Sequence, residues 1–142
     1  MDMPRRDEAF LDSAVRHWHD AELLMTERRY ANADHLVGFA AECAIKAALC
    51  DWDEHLHEGK LRKLFHEHIN ELWGVARVHG NQKRFAKLMA VLKQPNPFDD
   101  WTVDQRYARD GAISKETAKR HQEKAKVILA AVEITGKRKR SG

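Results

Sequence analysis

The stretch that most constrains the fold is LVGFAAECAIKAALC, residues 36–50. Leu36, Phe39, Ala40, Cys43, Ala47 and Cys50 recur at helical spacing, and Val37, Ala41, Ala44, Ile45 and Ala48 carry the apolar character round the back. One strip is polar: His35, Gly38, Glu42 and Lys46. A helix apolar over most of its circumference needs cover on several sides. This predicts the central helix of a bundle. A lone small bundle covers such a helix poorly, which points to a homodimer. Glu42 and Lys46 form an i,i+4 pair in the favourable order, worth about 0.3 kcal/mol when exposed. Periodicity alone favours a solvated pair on the wet strip; a fixed position in a partner interface is the sharper reading.

The rest of the chain is helical in pattern. Residues 1–6 form a flexible N-terminus, 7–136 a single domain and 137–142 a basic flexible tail. A first helix is expected over 7–29, with Asp7 as N-cap and a buried stripe of Phe10, Ala14, Trp18, Ala21 and Met25. His17 and His19 flank Trp18 and point apart, so they cannot share a metal. The polar turn RRYANAD leads into the central helix, which runs to about residue 52. A wet linker, DEHLHEG, follows; its histidines and acids lack the geometry of a metal site. A third helix is expected over 60–79, with Leu61, Phe65, Ile69, Leu72 and Ala76 inward, His68 at the edge and Gly80 as C-cap. A fourth spans 82–93 and stops at QPNPF, because Pro95 and Pro97 cannot continue it. Ser114 is a good N-cap for a last helix reaching about 135. Its inward face is Ala118, His121, Ala125, Ile128, Leu129 and Val132. The fold class is therefore all-α: an up-and-down bundle of four long helices plus a shorter one.

Composition narrows the function classes. The chain of 142 residues is one domain by size, and 33% of it is charged. Its net charge of +3 becomes −1 once Lys137, Arg138, Lys139 and Arg140 are set aside. The body thus lacks the basic footprint of a dedicated nucleic-acid binder. Cys43 and Cys50 are seven residues apart, about 10 Å along a helix, too far for a disulfide within it. They read as free thiols in a reducing compartment. No signal peptide and no membrane span are expected, which suggests a soluble cytoplasmic protein.

AAECAIKAAL (40–49) resembles the signature of HEPN domains, which runs small or Gln, Ala, any residue, Glu, any residue, Ala, hydrophobic, Lys, Ala, hydrophobic. AELLMTERRYANADHLVGFAAE resembles that family's first helix, its tyrosine-containing turn and the entry into helix two. WTVDQRY resembles the Arg-Tyr element near the last helix. The resemblance covers residues 7–134. It implies an all-α bundle, usually dimeric, and many family members are metal-independent ribonucleases of toxin–antitoxin, abortive-infection or CRISPR systems. Their hallmark is Arg-x4–6-His. The RNA 2′-OH attacks the adjacent phosphate, a histidine moves the proton near neutral pH, and an arginine stabilises the charged phosphorane.

That spacing occurs here in RRYANADH, where Arg28 and Arg29 reach His35, and in RKLFHEH, where Arg62 reaches His68. The first lies at an early turn rather than near the later helices. The second, on a continuous helix, would point its two side chains apart. After RYARDG the next histidine is His121, fifteen residues beyond Arg106. The weak catalytic candidates are thus His35, His68, His121 and Arg62. His121, on an apolar face, reads first as a hydrogen-bonded core histidine.

Short HEPN proteins without the hallmark resemble partners of minimal nucleotidyltransferases, or binding modules. For that role the candidate nucleotide- or RNA-binding residues are Trp101, Arg106, Tyr107 and Arg109, together with Glu42 and Lys46. Arg106 would grip a phosphate while Trp101 or Tyr107 stacks a base. Against this, Trp101 and Tyr107 can simply plug the bundle end, with Arg106 paired to Glu42 or Asp110. The functional expectation is a HEPN-like nucleotide- or RNA-binding module in a defence or toxin–antitoxin system with a nucleotidyltransferase partner. Its alternatives are a metal-independent endoribonuclease with an atypical Arg/His pair and a structural dimerisation adaptor. No cofactor and no metal are expected.

Overall fold

The computed structural model describes residues 6–52, 66–79, 85–107 and 111–132, with the side chains of 6–8, 50–52, 79, 106 and 107 excepted. The elements are α1 (Arg6–Thr26), α2 (Tyr30–Trp52), α3 (Ile69–His79), α4 (Ala86–Leu92), a 3-10 helix (Val103–Tyr107) and α5 (Lys115–Ala131). Among the described residues there is no strand, and the protein is all-α. Among the described residues three helices are long, where four were expected; α3 has 11 residues and α4 seven. The chain at 66–68 is not α-helical, so α3 starts later than periodicity suggests. Residues 60–65, 80 and 82–84, over which the expected third and fourth helices also ran, lie outside the described residues, as do the DEHLHEG linker and the basic tail.

Helix α1 begins at Arg6, so Asp7 is inside the helix and not its cap. It ends three residues before the expected boundary. Arg28 takes a left-handed conformation (φ 60°). Its N–H donates to Met25 O (3.1 Å), and that of Arg29 donates to Leu24 O (2.8 Å). These two bonds close the last turn in the manner of a Schellman cap, with an arginine where glycine is usual. Without a glycine the sequence gives no stop signal there. The connection is short, and α2 starts at Tyr30, well ahead of Leu36.

Helix α2 packs most extensively against α1 and next against α5. Val37, Ala40, Ala41, Ala44, Ile45 and Leu49 have no exposed surface. The cover that α2 needs comes from its own chain, so its apolar circumference does not require a second copy. The neighbours present most of the stripes expected of them: Ala14, Trp18 and Ala21 on α1, Ile69, Leu72 and Ala76 on α3, and Ala118, His121, Ala125, Ile128 and Leu129 on α5 are buried. Phe10, Met25 and Val132 are only half-buried, and Leu61 and Phe65 lie outside the described residues. Ser114 caps α5, its hydroxyl accepting from Thr117 N (3.1 Å). No helix among the described residues is long and apolar enough to cross a membrane.

The segment after α4 is irregular but tightly fastened. The Asn96 side chain accepts from Phe98 N and donates to Asn70 O, both at 2.8 Å. Trp73 Nε1 donates to Gln94 O (3.2 Å), and the Arg77 guanidinium donates to Leu92 O and Gln94 O. Phe98 and Trp101 are wholly buried. The Trp101 ring lies directly on Gly38, where a Cβ would meet its Cε2 at 2.1 Å and its Nε1 at 2.3 Å. Glycine is required here for close approach, not for backbone conformation.

Gly38→Ala is therefore expected to lower stability by about 3 kcal/mol, because the buried indole has nowhere to go. Gly74 lies within α3 with nothing near the position of a Cβ. Gly74→Ala is expected to raise stability by up to about 1 kcal/mol through helix propensity. Urea unfolding of the two variants, compared at equal m-value, checks both signs.

Candidate functional site

Four residues of α2 spaced by four, Asp34, Gly38, Glu42 and Lys46, lie along one ridge. All four are buried. Of the polar strip expected to be wet, Gly38, Glu42 and Lys46 are instead covered, by Trp101 at Gly38 and by the start of α3 at Glu42, while His35 is half-buried. Glu42 accepts from Lys46 Nζ through one oxygen (3.0 Å). Its other oxygen accepts from His68 Nδ1 (3.0 Å) and Ile69 N (3.1 Å). The side chains of Glu42 and Lys46 are 6% and 7% exposed, so this is a buried ion pair and not a solvated one. The carboxylate satisfies the first backbone donor of α3 from another helix. It also holds His68 with Nδ1 as the donor, which leaves Nε2 as the ring's second functional nitrogen.

His68 is 41% exposed and belongs to a ring of aromatic side chains around Phe39. The centroid of Phe39 lies 4.7 Å from His35, 5.7 Å from His17, 6.0 Å from His68 and 5.5 Å from Trp101. His35 is stacked parallel to Trp101 at 5.9 Å. Three imidazoles from α1, α2 and the approach to α3 thus meet at one half-buried face. Burial, reinforced by the adjacent Arg16 charge, lowers the His17 pKa, with Asp20 and Glu42 opposing. His17 is thereby biased towards the neutral ring that can accept a proton near neutral pH. Arg16 itself is exposed beside it. Cys43, below Glu42 on α2, is pushed up to about 12 by burial and by the Glu42 charge, which keeps it an inert thiol.

A second polar cluster lies at the Asp34 end of the ridge. His121 is 1% exposed and bonded on both nitrogens, Nδ1 to Asp34 Oδ1 (2.6 Å) and Nε2 to Asp100 Oδ1 (2.8 Å). Asp34 also accepts from Gln105 Nε2 (2.7 Å), and its backbone carbonyl accepts from Trp101 Nε1 (2.9 Å). Arg120 pairs with the other oxygen of Asp100 (2.6 Å). Burial works against the imidazolium, but the bonds and charges of Asp34, then Asp100, outweigh it and raise the His121 pKa above the usual value. Burial likewise opposes the Asp100 charge, yet His121 and Arg120 hold its pKa below the usual carboxylate value.

The sequence-derived candidates divide as follows. His35 and His68 meet at the Phe39 face beside Glu42 and Lys46. His121 is enclosed elsewhere as a hydrogen-bonded core residue and cannot reach a solvent-borne substrate. Trp101 is fully buried, so no base can stack on it. Arg106 and Tyr107 close the 3-10 helix, and their side chains, like the whole of Arg62 and Arg109, lie outside the described residues. The divergence expected of Arg62 and His68 assumed a helix through His68, and His68 precedes α3. His17 and Arg16 were not anticipated. The available signal was position: His17 borders the stripe of Ala14, Trp18 and Ala21. Asp34 was missed because it reads as part of a turn, whereas α2 already includes it. Among the described residues no three histidine, cysteine or carboxylate side chains are grouped to hold a metal ion. No protein-family model, no curated protein and no solved structure matches the chain.

Removing one partner of the buried pair leaves the other uncompensated. Lys46→Met is expected to cost about 3 kcal/mol. Adding Glu42→Gln should recover part of that, since a neutral amide oxygen still accepts from His68 and Ile69. A double-mutant cycle by denaturant unfolding should give a coupling of at least about 1 kcal/mol; simple additivity would show that the two side chains act independently.

Proposed function

We propose that this protein is a HEPN-like helical module that binds RNA or a nucleotide at the histidine face around Phe39. The observation that carries the reading is the convergence of His17, His35 and His68 from three separate parts of the chain on one partly exposed phenyl ring. Flat rings of this kind stack bases regardless of sequence, and imidazole N–H groups donate to phosphate oxygens. Arg16, exposed beside His17, supplies a positive charge at the rim. Lys46 is committed to Glu42 and shapes the face instead of gripping a ligand. The resemblance adds a role beside a nucleotidyltransferase in a defence or toxin–antitoxin pair. Homodimer formation rests on the resemblance alone.

A specific observation also favours a second reading, cleavage. Glu42 orients His68 as a carboxylate orients the imidazole of an acid–base pair, and His17 is biased to the neutral form. Two such rings on one face suit metal-independent attack of a 2′-OH on its own phosphate, with one imidazole taking the proton and the other donating to the leaving oxygen.

Fluorescence anisotropy with an end-labelled mixed-sequence RNA, in EDTA, separates these readings. The parent should bind, and Phe39→Ala, His68→Gln and Arg16→Ala should each weaken binding by about tenfold, the range of one base–aromatic contact. Exposed Lys119→Ala serves as the control and should bind like the parent. No binding by the folded parent, or equal binding by all variants, rejects this face. Cleavage products that vanish with His68→Gln and with a 2′-deoxy substrate would establish the second reading.

A further inference from the structure

We propose that Asp34, His121 and Asp100 form a proton-operated latch, which clamps the 98–105 segment onto α2 and α5 and releases it when the proton leaves. The geometry is specific. His121 from α5 stands between a carboxylate of α2 and a carboxylate of the connecting segment, at 2.6 Å and 2.8 Å. Ionised carboxylates only accept hydrogen bonds, so both ring nitrogens must carry hydrogen for both bonds to exist. Only the imidazolium does this. A neutral ring donates to one carboxylate and turns a lone pair towards the other.

The contacts around the ring define what the proton holds. Among the described residues, Asp34 and Asp100 are the charged groups that act on His121, and Arg120 on the same helix engages the second oxygen of Asp100. Phe98 stacks on the imidazole with centroids 5.2 Å apart. Neutral Gln105 from the 3-10 helix donates from Nε2 to the second oxygen of Asp34, while its side-chain Oε1 accepts from Thr102 N (3.0 Å). Trp101, between these fastenings, bonds Asp34 O and lies on Gly38. Asp100, Phe98 and Gln105 thus bring three points of one short segment to the Asp34–His121 pair.

The sign follows from the raised pKa of His121. The clamp is complete at pH values below that of an ordinary histidine, about 6.5, and is lost as pH rises through the higher value His121 has in the fold. Losing it loosens Trp101, against which His35 and Phe39 pack. If the Phe39 face is the ligand site proposed above, the proton also governs its rigidity; the latch itself does not rest on that reading.

Nuclear magnetic resonance of the full chain tests the latch without any ligand. The imidazole of His121 is followed from pH 5 to 9 together with the indole N–H of Trp101, assigned by its absence in Trp101→Phe. The expected result is a His121 midpoint above 6.5, a Trp101 signal that moves with the same midpoint, and amide exchange over 98–105 that rises at least tenfold beyond base catalysis. In His121→Gln the Trp101 signal should not respond to pH. Should that variant not fold, Asp100→Asn, altered at a half-exposed position, should lower both midpoints together by at least half a pH unit. A His121 midpoint at or below 6.5, a Trp101 signal indifferent to His121, or midpoints unmoved by Asp100→Asn would overturn the proposal.

Discussion

Two buried carboxylates on one ridge of α2, Asp34 and Glu42, fasten the later part of this chain to the central helix. Asp34 receives Gln105, His121 and, through its backbone, Trp101. Glu42 receives Lys46, His68 and the first amide of α3. Gly38 lies midway, and its missing side chain is the space the Trp101 ring occupies. A carboxylate inside a protein is costly unless its oxygens are filled by donors. Each of these is filled by donors from more than one element. The cost is offset only when all those elements are in place together.

Apolar packing alone would not define such an arrangement. The buried surface of α2 is largely alanine, and small smooth surfaces tolerate sliding. The polar ridge does not. A shift of α2 by one residue would rotate Asp34 and Glu42 about 100° away from their donors and put a Cβ against the Trp101 ring. The ridge therefore sets register, and the alanine-rich remainder supplies close contact and area.

The same ridge accounts for the exposed chemistry. His68 is presented at the surface because Glu42 holds it from below, and His35 and Phe39 are steadied because Trp101 packs against both. The histidine face and the His121 cluster are thus two ends of one structure, joined through Trp101. One is partly open and carries three imidazole rings packed on Phe39. The other is closed and holds a proton between carboxylates. Nine histidines in a chain of this length leave many chance pairings in sequence; burial and partners separate the half-exposed rings from the enclosed one.

Much of the fold was legible from the residues. The apolar stripes of α1, α2, α3 and α5, the Ser114 cap and the proline stop after α4 follow from periodicity and from which backbones each side chain permits, both local properties. The ends were less legible. α1 stops on an arginine in a glycine conformation, and α2 begins inside what reads as a polar turn. The candidate site was legible only in fragments. Glu42, Lys46, His35 and His68 stand out in the sequence, but their solvation, their partners and the contribution of His17 depend on contacts between elements far apart in the chain. Local sequence determined which faces are apolar and where helices can form. The tertiary structure alone decided that the polar ridge of α2 is buried, because a charge is stable there only when donors from distant elements arrive at the same place.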